Sequence, residues 1–238
     1  MQSSNPALNL AEGAFARTTI IGSDRMTVQG TANKTGLLLL LAFLGAGISW
    51  GSSQPNLWIM VGSIGGLVMA FVTIFKKEWA AVTAPIYALL EGLFLGALSS
   101  AFYPDIAIQA VGLTFGTLAG MLVAYSSGWI KVTEKFRSGV IAATFGIMLF
   151  YLATFVLGFF GIGMPGVFDG GLIGIGFSLV VVGVAALNLL LDFDLIDNLA
   201  MQGAPKHFEW YGAFALMVTL VWLYLEILRL LSKLQRDD

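Results

Sequence analysis

Seven apolar runs of membrane-crossing length decide what this chain can fold into. They cover about residues 35–53, 57–75, 80–102, 106–128, 138–161, 170–192 and 210–231. A hydrocarbon core about 30 Å thick needs a helix of about 20 residues. The runs are continuously apolar rather than alternating, which selects helices over a β-barrel. The expected fold is all-α, a polytopic bundle of seven transmembrane helices. Composition agrees: 58% of the 238 residues are hydrophobic and 11% are charged, against roughly 25% charged in a soluble domain. That excludes a cytosolic enzyme, a disordered chain and a nucleic-acid binder. The chain has no cysteine and one histidine, His207. Disulfides, thiolate metal sites and multi-histidine metal sites are thereby excluded, and no cofactor is expected.

Three regions follow. Residues 1–34 form a polar tail with Asn5-Pro6, Gly13, Gly22 and Gly30 as breakers. No apolar run follows a basic start there, so the tail does not read as a signal peptide. Residues 35–232 form the membrane domain, and 233–238 a short polar end. The stretch Gly161-Ile162-Gly163-Met164-Pro165-Gly166 separates runs five and six.

Basic residues predict the orientation. Arg17, Arg25 and Lys34 precede run one, and Lys76 and Lys77 follow run two. Lys131, Lys135 and Arg137 follow run four, and Lys206 follows run six. The alternate loops hold neither Lys nor Arg, which puts the N-terminus in the cytoplasm. Seven spans then send Arg229, Lys233 and Arg236 to the opposite side, against the rule: either run seven is an exception or one apolar run is re-entrant, and seven full spans are the expectation. The 29 glycines include many inside the runs, several four apart. That spacing reads first as close helix packing and second as flexibility at a gate.

An ionisable group at membrane depth is costly and calls for a function. Glu91 lies mid-run in segment three, Asp192 closes the apolar run of segment six, and Glu226 lies in the second half of segment seven. Asn188 and Asp192 share a helix face, while Asp194 is about 200° further round and points elsewhere. Glu226 shares a face with Trp222 and Arg229, and a Glu–Arg pair three apart also reads as a structural ion pair. Asp192 and Asp194 also read as solvated residues at a helix end, and Glu91 as a hydrogen-bonded core carboxyl. The sharper reading pairs carboxyls from different helices. Two in contact share a proton and titrate as a unit, and they offer the hard oxygen ligands that suit Ca²⁺.

Several motifs together resemble the Bax inhibitor-1 family (the transmembrane Bax-inhibitor-motif proteins), in its bacterial branch. Segment three carries Tyr87-Ala88-Leu89-Leu90-Glu91-Gly92-Leu93-Phe94-Leu95-Gly96. Segment six ends Leu191-Asp192-Phe193-Asp194-Leu195-Ile196. Segment seven carries Leu223-Tyr224-Leu225-Glu226-Ile227-Leu228-Arg229-Leu230-Leu231. Ser4-Asn5-Pro6-Ala7-Leu8 and the stretch from Thr27 to Lys34 resemble the subgroup with a longer polar tail. The resemblance implies a pH-sensitive Ca²⁺ leak channel with helix 7 in the centre of the other six. It implies that Asp192 and Glu226 form a hydrogen-bonded pair that senses pH, gates the path and binds Ca²⁺ transiently. A basic residue near the end of helix 2, here Lys76 or Lys77, would meet that pair. Glu91, Asp194 and Arg229 are supporting candidates. This chain departs from the family's common form in having Glu at 226 where Asp is usual. It has a longer loop between the two acids, and Lys rather than Arg at the basic position.

The expected protein is thus an integral protein of a bacterial plasma (inner) membrane, in contact with lipid and with calcium or another cation. Two rivals stay open: a non-transporting regulator that binds a membrane protease or secretion machinery, and a proton-coupled cation exchanger. No zinc-protease, serine-hydrolase or P-loop motif is present, so no enzymatic activity is expected.

Overall fold

The computed structural model describes residues 25–161 and 171–236. Seven α-helices, each long and apolar enough to cross a membrane, account for most of them. They are α1 (Val28–Ser49), α2 (Pro55–Phe75), α3 (Ala80–Phe102), α4 (Ala107–Ser126), α5 (Glu134–Phe159), α6 (Leu172–Met201) and α7 (Phe208–Arg236). A single 3-10 turn, Lys77–Trp79, joins α2 to α3. Among the described residues the only strand-like pairing is one isolated bridge, Arg25 to Pro205. The described residues form a seven-helix multi-pass membrane bundle.

Local chemistry fixes the ends. Thr27 caps α1 by accepting a hydrogen bond from the Gly30 amide, and Thr133 caps α5 through Phe136. Both satisfy amides that the first helical turn leaves unpaired. Pro55 opens α2, where its missing N–H costs nothing.

Three boundaries differ most from the sequence expectation. Helix α1 starts at Val28, so the end of the expected tail is helical. Helix α6 continues nine residues past Asp192, to Met201. Asp192 is therefore inside a helix, not at its end. Hydropathy stops at Asp192 because Asp194 and Asp197 follow, but neighbouring helices satisfy both. Helix α7 runs on to Arg236, into the expected polar end. Residues 1–24, the turn residues 162–166 and the last two residues lie outside the described residues.

Helix α7 is the centre of the bundle. It packs on α1, α3, α4 and α6, and most of its length is buried. Helix α3 is wedged between α1 and α2. A Cβ on Gly92 would overlap the Ala42 carbonyl oxygen, and one on Gly96 the Ala46 carbonyl oxygen. On the facing helices, Gly45 meets the Leu89 carbonyl and Gly62 the Leu90 carbonyl with the same closeness. Small residues here let backbones touch. Gly112, Gly116 and Gly120 on α4 face open space instead, so their spacing serves no such contact. Helix α5 lies at the edge against α6 and turns Phe145, Leu152, Phe155 and Phe159 outward to lipid.

Candidate functional site

A row of polar residues runs along one seam between α5, α6 and α7. On α5 they are Arg137, Thr144 and Tyr151, each seven residues from the last. On α7 they are Thr219, Glu226 and Lys233, again seven apart. Seven residues are nearly two helical turns, so each set forms one stripe. The partners on α6 run antiparallel to both stripes.

At one end Arg137 donates to Asp194 at 2.5 Å, and Asn198 donates to the same carboxylate at 2.9 Å. Tyr125 of α4 donates to Asp197 at 2.9 Å. Further in, Thr219 donates to Asp192 at 2.6 Å. Next along α6, Asn188 donates to Thr144 at 2.8 Å. Tyr151 then donates to both oxygens of Glu226, at 3.0 and 3.1 Å. Arg229 donates to Glu226 at 2.9 Å and to the Tyr151 hydroxyl at 2.5 Å, with its guanidinium 5.0 Å from the Tyr151 ring centre. At the far end the buried Lys233 donates to the Gly174 carbonyl at 2.9 Å and to Ser178 at 3.0 Å. The satisfaction is thorough: among the described residues no fully buried side-chain nitrogen or oxygen lacks a partner. In hydrocarbon an unpaired group would cost several kcal/mol.

The two expected gate residues are both on this seam, but they do not form a pair. Asp192 is held by Thr219 and Glu226 by Tyr151 and Arg229. Thr219 and Glu226 are about 10 Å apart along α7. The register explains it: antiparallel packing that sets Asp192 beside Thr219 carries Glu226 two turns further on. Lys76 and Lys77 do not reach either carboxylate. They are exposed, with Lys76 over the Trp79 ring at 6.0 Å and Lys77 over the Tyr211 ring at 5.2 Å. The cation beside Glu226 is Arg229, from the same helix. Asp194 points away from Asp192, to Arg137. Glu91 is apart from the seam. It is buried on α3 with its carboxyl against Gly66 of α2, where a Cβ would crowd it. No cluster of three metal-ligating side chains occurs among the described residues.

A third buried carboxylate, beside Glu91 and Glu226, is not marked in the sequence. Glu209, at the start of α7, is only 2% exposed. It pairs with Lys34 of α1 and accepts from the Thr27 amide at 3.0 Å and the Thr27 hydroxyl at 2.9 Å. The Met26 amide donates to the Ala204 carbonyl at 2.7 Å. Together these fasten the entry to α1 onto the α6–α7 turn. His207 sits in that turn with its ring against Phe208. The seven-residue polar spacing on α5 and α7 was the signal in the sequence for Tyr151, Thr219 and Lys233. Nothing comparable marked Glu209, whose position at a helix start reads as ordinary solvation.

Seven helices long and apolar enough to cross a bilayer, with Asp192 and Glu226 on an internal seam, define a polytopic membrane protein. The Bax inhibitor 1 like family model matches residues 4–236, so the chain belongs to that family. The comparison with curated proteins finds no match.

Proposed function

We propose that the protein is a pH-responsive calcium leak of a bacterial plasma membrane, with its N-terminus in the cytoplasm, and that it catalyses no covalent reaction. One observation carries this reading: Asp192 and Glu226 straddle the middle of α7's span on a single polar seam. Ca²⁺ takes six to eight oxygen ligands in flexible geometry. The seam supplies carboxylate, hydroxyl and amide oxygens in succession from Asp192, Thr219, Asn188, Thr144, Tyr151 and Glu226. In the arrangement described, Arg229 neutralises Glu226 and occupies its oxygens, which is a closed path. Release of Arg229 gives a second carboxylate for a passing cation. A proton on either carboxyl competes with the cation, and that competition couples flux to pH.

The test is Ca²⁺ flux into dye-loaded liposomes across a pH series. Wild type is expected to leak with a clear pH dependence, and Asp192→Asn with Glu226→Gln to flatten it. Absence of flux at every pH would leave the regulator of other membrane proteins as the better reading. Flux that requires an opposing proton gradient would make the protein an exchanger. Retention of the full pH response in the double variant would remove the two carboxylates from the gate.

A further inference from the structure

On the face of α7 opposite the seam lies a cavity of about 270 Å³, bounded by α1, α3, α4 and α7. Met217, Leu220, Val221 and Tyr224 of α7 form its floor. Their spacing puts them on the side of the helix turned away from Thr219 and Glu226. The walls are apolar. The hydroxyls in them are already engaged: Ser99 and Tyr224 bond each other at 2.8 Å, and Thr114 donates to the Ala110 carbonyl at 2.7 Å. A trapped water needs two to four polar partners, and the largely apolar lining offers few. An engineered apolar cavity of about 150 Å³ stays dry and takes up benzene, and this one is larger.

The opening lies between α1 and α4. Phe43 and Phe115 stack across it, with ring centres 6.0 Å apart and planes 15° apart. Phe43 is 49% exposed and Ile108 is 81% exposed, so the mouth is on the outer surface of the bundle. Phe43 lies well inside a membrane-crossing helix, so the mouth there faces hydrocarbon. Trp50, at the end of α1, also lines the cavity. An aromatic at that level belongs to the interface where lipid head groups sit.

We propose that this cavity is a binding site for an acyl chain of a bilayer phospholipid. The chain enters between α1 and α4, past Phe43 and Phe115, and its end rests on Leu220 and Val221. The head group stays at the membrane surface near Trp50. The site places an exchangeable apolar ligand directly against the central helix, and it stands whether or not the seam conducts ions.

Photo-labelling tests it. The full chain is reconstituted in phosphatidylcholine vesicles doped with a phosphatidylcholine that carries a diazirine in its acyl chain. After irradiation, adducts are mapped by mass spectrometry. Adducts are expected on Leu220 and Val221, which are 3% and 8% exposed, as well as on outward residues such as Leu122. Gly47 lines the cavity and has nothing within 4 Å of an added Cβ, so Gly47→Phe is expected to abolish the floor adducts and leave Leu122 labelled. Labelling confined to outward residues in the wild type overturns the proposal. Floor labelling that persists in a folded Gly47→Phe protein overturns it too. An unlabelled floor in a protein that runs as a dimer assigns the cavity to a second copy. If Gly47→Phe fails to fold, the wild-type map decides alone.

Discussion

Removing the Thr219 hydroxyl leaves Asp192 without its partner from α7. Hydrogen bonds between membrane helices are worth about 0.6 kcal/mol on average and about 1.7 at most. Thr219→Val keeps the volume, so the hydrogen bond is nearly all that is lost. Its cost is expected near the upper end of that range, because a carboxylate is stranded. Thermal unfolding in detergent reads it as a lowered Tm. Arg229→Met strands Glu226 in the same way but also removes a charge partner. Breaking a buried ion pair from one side costs about 3–5 kcal/mol. Arg229 is 37% exposed at the side chain, so the expected loss falls below that range but above the Thr219→Val loss. The reverse order in Tm would show that Tyr151 alone holds Glu226. The sequence marked Asp192, Glu226 and Arg229 because charge in an apolar run is conspicuous. Their partners are marked only by the seven-residue spacing, since a threonine and a tyrosine are individually unremarkable in such runs. Spacing within one helix could not tell which residues on two different helices would stand side by side.

Close packing around α3 is a property of whole helices. Gly92 on α3 meets the Ala42 carbonyl of α1, and Gly116 on α4 faces open space. Both are mid-helix glycines, and alanine favours a helix by about 0.5–1 kcal/mol over glycine. Gly116→Ala therefore gains that amount and raises Tm slightly. Gly92→Ala gains it too, but its methyl group meets backbone that cannot swing aside, so α1 and α3 must separate. The second effect is expected to win, with a clear fall in Tm. Equal behaviour of the two variants would mean that the α1–α3 contact is looser than described. The sequence predicted all seven helices, since length and apolarity are set by the bilayer itself. It shortened α6 at Asp192 and α1 at Lys34 for a common reason. Hydropathy counts a charge against a span even where another helix neutralises it, as Arg137 does for Asp194 and Glu209 for Lys34. The glycine pattern was equally ambiguous, because four-residue spacing occurs both in the tight α3 contacts and on the open face of α4.

The order of the helices across the membrane joins these parts into one testable topology. Arg25 and Met26, before α1, bond the α6–α7 turn, so the start of α1 and the end of α6 share a side. Ser232 and Gln235 of α7 line a cleft with the α3–α4 turn at Pro104 and Asp105, so the end of α7 is on the opposite side. Seven crossings require that arrangement, and for two of the three conflicting cations the basic-residue rule then has a physical answer. Lys233 is bound to α6, and Arg229 is bound to Glu226 and Tyr151. These cations serve the seam within the bundle, and they do not act as free surface charge that would hold α7's end in the cytoplasm. The absence of native cysteine makes the orientation directly measurable. Single cysteines at the exposed positions Ser53, Asp105 and Gln235 are expected to react with a membrane-impermeant maleimide in intact spheroplasts. Cysteines at the exposed positions Lys77, Ser127 and Gln202 are expected to react only after permeabilisation. The reverse pattern throughout would invert the proposed orientation and keep the fold. Labelling of Gln235→Cys with the second group would break the seven-crossing topology, because α7 would then have to enter and leave on one side. The polar stripe on α7 could not in that case run from one face of the membrane to the other, and the leak path would lose its far end.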